Sequence, residues 1–63
     1  MSVPGKIKAR RSALALTQAQ AAERIGWTQP VWQSYESGKR LPTAGGTLKK
    51  IAKAMKCKEA DLL

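Results

Sequence analysis

Gln29 and Gln33 stand four residues apart in the segment TQPVWQSYESGKR, and on a helix that spacing sends both carboxamides out from one side. A carboxamide donates and accepts at once, the pattern that adenine offers through N6 and N7 in the major groove of a duplex. Pro30 and Ser34 belong to the same outward surface. Pro30 has only apolar contact to give, for instance to a thymine methyl, and Ser34 adds a hydroxyl. A merely solvated helix surface also accounts for Gln33 and Ser34. Around this set are groups suited to holding phosphate, namely the Thr28 hydroxyl, Arg10, Lys39 and Arg40, and contacts of that kind would orient the chain without reading sequence. For any single basic side chain a solvated face is the other account.

Other chemistries are excluded by inventory. The chain has no histidine, one cysteine and four carboxylates, Glu23, Glu36, Glu59 and Asp61, scattered along it. No catalytic residue, metal site or cofactor site can be assembled from that set at the usual ligand counts, and no nucleophile has a positioned base. An enzyme and a small-molecule ligand are therefore not expected. What the composition does carry is charge: twelve Lys and Arg against four Asp and Glu give a formal net charge of +8. Such an excess concentrates polyanions and speeds association with them. Solubility alone is the competing account, but it needs less charge than this.

The elements that must position these groups follow from capping and turn chemistry. Thr17 precedes the helix formers Gln18 to Arg24, with Gln20 at the capping-box position. Gly26 then ends the helix in a conformation that costs a residue without Cβ nothing. Thr28 is a second N-cap candidate, Pro30 falls in a first turn, and the next helix runs from about Gln29 to Glu36, closed by Ser37 and Gly38. Trp27 and Trp32 occupy the two places of a hydrophobic staple, so the indoles are expected to meet. The three-residue spacing of Trp32 and Tyr35 puts both on the inward stripe. Two short helices joined by a tight turn with glycine form a helix-turn-helix, whose second helix typically enters the groove.

A first helix is expected from near Pro4, with Ile7, Arg11 and Leu14 on one face. After Pro42 the spacing of Leu48, Ile51, Ala52 and Met55 predicts a fourth helix, and a short segment ending in Leu62 and Leu63 predicts a fifth. No alternating strand pattern competes. The expectation is an all-α fold: a compact bundle of four to five short helices over a single domain, residues 1–63. Chains this short bury only about 60% of their unfolded surface, which makes Trp27, Trp32 and Tyr35, the whole aromatic complement, important as core.

The order Thr17-Gln18, Ala22, Gly26, Thr28-Gln29, Glu36, Gly38-Lys39 resembles the phage repressor and Cro-type helix-turn-helix domain. The resemblance implies a sequence-specific regulator of transcription that occupies a double-stranded DNA operator. It makes Gln29 the first candidate base reader and Gln18 a phosphate clamp. It also implies an ion pair between Arg11 and Glu36 that braces the fold; Arg11 on phosphate with a solvated Glu36 is the alternative. Trp32 and Tyr35 stand where the family has core aliphatics. The linker Leu41 to Gly46 departs from the family, which has a leucine and a glutamate where Gly45 and Gly46 stand. Two glycines in a first helical turn would each cost about 1 kcal/mol relative to alanine. A slack connection, or backbone amides free to approach phosphate, are both consistent with them.

Domains of this size usually work as homodimers on pseudo-palindromic sites, assembled here in solution or only on DNA, with Leu62 and Leu63 either packed inward or facing a twofold mate. Cys57 stands where the family is apolar and is read as a small hydrophobe, a reactive thiol or intermolecular disulfide being the alternative. A lone cysteine and the lack of a signal or spanning segment point to the cytoplasm of a bacterial cell or phage-infected host. Two rivals remain. Tyr35-Glu36-Ser37-Gly38 also resembles multiprotein-bridging coactivators and antitoxins, which dock protein partners, and the lysine-rich last third suggests a basic amphipathic membrane binder, although its apolar positions are better used in a core.

Overall fold

Ser2 opens the first helix, its hydroxyl accepting from the Gly5 amide at 3.3 Å, with Pro4 in the first turn where no intrahelical donor is missed. The resulting α1 spans Val3–Ala13, one residue earlier than its expected start. In this computed structural model, which describes residues 2–42 and 46–63, α2 follows at Gln18–Ile25, α3 at Gln29–Ser37 and α4 at Thr47–Ala54, and a 3-10 turn at Glu59–Leu62 closes the chain. Among the described residues there is no strand.

The Thr17 box forms as its spacing requires. The Gln20 amide donates to Thr17 Oγ1 at 3.1 Å, and the Thr17 amide donates to Gln20 Oε1 at 2.9 Å. Gly26 ends α2 at φ 76° with open space where a Cβ would be, so backbone conformation rather than crowding selects glycine there. Thr28 has the extended backbone of an N-cap, but its side chain makes no capping bond. Entry into α3 is fixed instead by Trp27 and Trp32, whose ring centroids lie 6.3 Å apart at 47°. Gly46 is not in a first helical turn: it stands before α4 as the N-cap, at φ 74°, so the expected cost of a helical glycine does not arise there. Gly45 lies outside the described residues.

Every helix contributes to one core. Ile7 comes from α1, Ala21 and Ala22 from α2, Trp32 from α3, Ile51, Ala52 and Met55 from α4 and its cap, and Leu62 from the closing turn. Leu62 therefore packs inward, whereas Leu63 is 63% exposed. Ile51, Ala52 and Met55, the apolar stripe of α4 and its cap, are spent on this core, and no described helix is long and apolar enough to cross a membrane. Trp27 and Tyr35 are only half-buried and stack on each other at 4.9 Å and 21°. Of the three aromatics only Trp32 is fully enclosed, and Trp27 and Tyr35 pack against the core from its edge. Cys57 is half-buried against the same core, and burial pushes its thiol pKa up.

Two residues without sequence warning take left-handed backbone, Ala15 at φ 57° and Lys56 at φ 55°. Both follow a helix end where the chain must turn back. Left-handed backbone costs an L-residue roughly 1–2 kcal/mol, part of which glycine returns as unfolded-state entropy. Ala15→Gly is accordingly expected to stabilise the fold by about 0.5 kcal/mol and to raise the thermal midpoint by roughly 2–4 °C; a lowered midpoint in a calorimetric scan would contradict this.

Candidate nucleic-acid interface

The site is built around one carboxylate. Glu36 lies near the end of α3 and its side chain is 3% exposed. Arg11, on α1 and 13% exposed, donates from Nε to Glu36 Oε2 at 2.6 Å and from Nη2 to Oε1 at 3.1 Å. The remaining arm, Nη1, donates to the Leu16 carbonyl at 2.6 Å, in the connection between α1 and α2. Gln18 Nε2, in the first turn of α2, donates to Oε1 at 3.3 Å. Trp32 Nε1, one turn back along α3, donates to Oε2. Burial alone would raise the Glu36 pKa; the hydrogen bonds from Arg11, Trp32 and Gln18 and the Arg11 charge outweigh it and hold the carboxyl below its usual value. A single ion thus ties α1, α2 and α3 together, and it fixes the rotation of α3 about its own axis.

With that rotation set, Trp32 faces inward at 0% exposure while Gln29, Pro30 and Gln33 are exposed. Ser34 is half-buried and donates to the Pro30 carbonyl at 2.9 Å, so its hydroxyl proton is committed within α3 and only acceptor capacity faces outward. Pro30, Gln33, Ser34, Ser37 and Lys39 line one open depression, and Lys8, Gln18, Gln33, Glu36 and Ser37 line an adjoining one. The two share Gln33 and Ser37. The outward side of α3 is therefore continuous with the start of α2, the middle of α1 and the basic residues after α3.

The expected phosphate set divides. Thr28, Lys39 and Arg40 are exposed, Thr28 at the very start of α3. Gln18 is half-buried, with one amide proton on Glu36 and its oxygen not engaged by that bond. Arg10 is elsewhere. Its Nε and Nη2 donate to the carbonyls of Met55 and Lys56, each at 2.9 Å, where the guanidinium meets the negative end of the α4 dipole. A guanidinium so committed is a tertiary cap, and the sequence could not reveal it because its acceptors lie 45 and 46 residues away. Lys8, one of the basic residues that crowd α1 with Lys6, Arg10 and Arg11, is exposed beside Gln18 and Gln33 and joins the strip, although its residue type alone does not separate it from the others.

Among the described residues no group of His, Cys, Asp and Glu could hold a metal ion. Neither the curated proteins nor the solved structures contain a match to this chain. A family model described as a helix-turn-helix domain matches residues 5–63, from within the first turn of α1 to the end of the chain. The chain belongs to the helix-turn-helix domain family, in keeping with the phage repressor and Cro-type pattern carried by Thr17, Gln18, Gly26, Thr28, Gln29 and Glu36.

Proposed function

We propose that the chain is a sequence-specific double-stranded DNA-binding regulator of transcription, of the Cro and repressor kind, acting by occupancy of an operator. The observation that carries this is the exposure of Gln29, Pro30 and Gln33 on the second helix of a helix-turn-helix whose opposite side is anchored by a fully buried Trp32. Gln29 and Gln33 read base edges, with Pro30 and Ser34 beside them, while Gln18, Thr28, Lys8, Lys39 and Arg40 hold the phosphates on either side. One such helix reads few base pairs, so two copies occupy a pseudo-palindromic site with half-sites roughly 34–36 Å apart. The net charge of +8 supplies non-specific affinity and a fast encounter.

Selection of bound duplexes from a random pool tests this. A motif is expected, and within it Gln29→Ala should relax one position by roughly 1–3 kcal/mol, whereas Lys39→Ala should weaken all sequences alike. The log of the affinity should fall linearly with log salt, by about 0.9 per phosphate contacted. A pool that yields no motif, together with a stoichiometric protein partner recovered on the chain, would instead assign it to the protein-docking type.

A further inference from the structure

A second basic surface lies away from the strip just described. Arg24 and Ile25 at the end of α2, Trp27 in the turn, and Lys50, Lys53 and Ala54 on α4 line an open groove of about 440 Å³. Its floor is apolar: Ile25, Trp27 and Ala54 are half-buried and packed against the core. Its rim is cationic, since Arg24, Lys50 and Lys53 are all exposed, and no carboxylate lines it. The nearest acid in sequence, Glu23, lines a neighbouring depression with Leu16, Gln20 and Arg24, so Arg24 borders both. Lys53 also borders the depression lined by Lys49, Lys58 and Glu59, where the lysines outnumber the one acid.

The groove shares no lining residue with the strip around Gln33. Trp27 in its floor stacks on Tyr35, and Tyr35 lies two residues from Gln33, about 200° around α3. Arg24, Lys50 and Lys53 are thus outside the strip assigned to the duplex. We propose that this groove docks an acidic amphipathic peptide segment of a partner protein. Carboxylates of the segment pair with Arg24, Lys50 and Lys53, and a bulky apolar side chain seats on Ile25, Trp27 and Ala54. The apolar floor favours a peptide over a second duplex, because a duplex keeps its bases stacked inside and would offer the groove a sugar-phosphate backbone with nothing to bury against the indole. Complementary charge then sets partner choice and encounter rate, and the buried apolar anchor sets residence time.

The test uses the full chain and three probes: a short synthetic peptide with Leu and Phe at helical spacing among Asp and Glu, an oligoglutamate of the same net charge, and a duplex of arbitrary sequence. The amphipathic peptide is expected to bind by fluorescence anisotropy and to shift the amide resonances of residues 24–27 and 50–54. Lys50→Gln combined with Lys53→Gln should weaken it by about tenfold or more while leaving the thermal midpoint and the base preference within a selected operator motif unchanged. Equal affinity for oligoglutamate would reduce the groove to the general positive field and overturn the proposal. It would also be overturned if the arbitrary duplex moved the same amides, or if the peptide's shifts fell on residues 29–33. Operator binding is read on its own, so failure of the DNA assignment and failure of this one are distinguishable.

Discussion

Glu36→Leu is expected to cost about 3–5 kcal/mol, because it strands the Arg11 guanidinium at 13% exposure and removes the acceptor used by Trp32 and Gln18. A chain of 63 residues has only roughly 3–9 kcal/mol of stability to lose, so the variant should be largely unfolded at 37 °C. Arg11→Met should cost a comparable amount for the mirror reason. Made together, the two changes should cost less than the sum of the singles by about 1–3 kcal/mol, since neither charge is then stranded. Recovery will be incomplete, because the Trp32 indole N–H still lacks its acceptor. The same carboxylate sets an acid limit. Its pKa is lowered on folding, so the stability it contributes is present above the unfolded carboxylate value, about 4.3, and is lost as pH falls through the lower folded one. Glu36→Gln should therefore flatten the decline in melting temperature on acidification below about pH 4.5. Strict additivity of the double variant, or an acid limb unchanged in Glu36→Gln, would remove Glu36 from its central place.

Much of this arrangement is legible in the chain because it is local. The Thr17 and Gln20 box, the left-handed Gly26 and the Trp27 to Trp32 staple each depend on residues at most five apart, and periodicity places Ile7, Ile51 and Met55 inside. What escaped depends on distant chain or on competition for one group. Arg10 reads as an exposed cation on α1 until α4 presents its carbonyls. Gln18 and Ser34 read as outward polar groups, yet each spends a proton inside the protein. Ala15 and Lys56 carry no glycine signature, and tertiary closure imposes their backbone. Thr28 shows the converse: its residue type suits a helix cap, but the hydroxyl is not used that way, and the residue is exposed at the head of α3 beside Gln29. The bond between Trp32 and Glu36 was within reach, because residues four apart on one helix meet.

Trp32→Ala is the other large effect, expected at about 3–5 kcal/mol because the side chain is fully buried and the void it leaves lies between helices that cannot all collapse into it. It differs from Glu36→Leu in what is lost. Trp32 supplies volume at the centre of the core, a tilted contact for Trp27, and a donor for Glu36, so its removal releases α3 from behind while the Arg11 pair still holds its far end. Trp32→Phe separates these parts: it keeps a ring in place and drops the indole N–H, at roughly 1.5–3 kcal/mol for a hydrogen bond to a charged group. Urea and thermal unfolding should rank the variants wild type, Trp32→Phe, Trp32→Ala. An excluded osmolyte that favours the compact state should restore enough folded Trp32→Ala to titrate with duplex. The refolded variant is expected to bind every sequence more weakly, without the single-position change of preference expected for Gln29→Ala, because a loosened helix misplaces all its base contacts together. A Trp32→Ala protein that melts within a few degrees of wild type, or that shifts preference at one base pair only, would mean that the buried indole does not set the aim of Gln29 and Gln33.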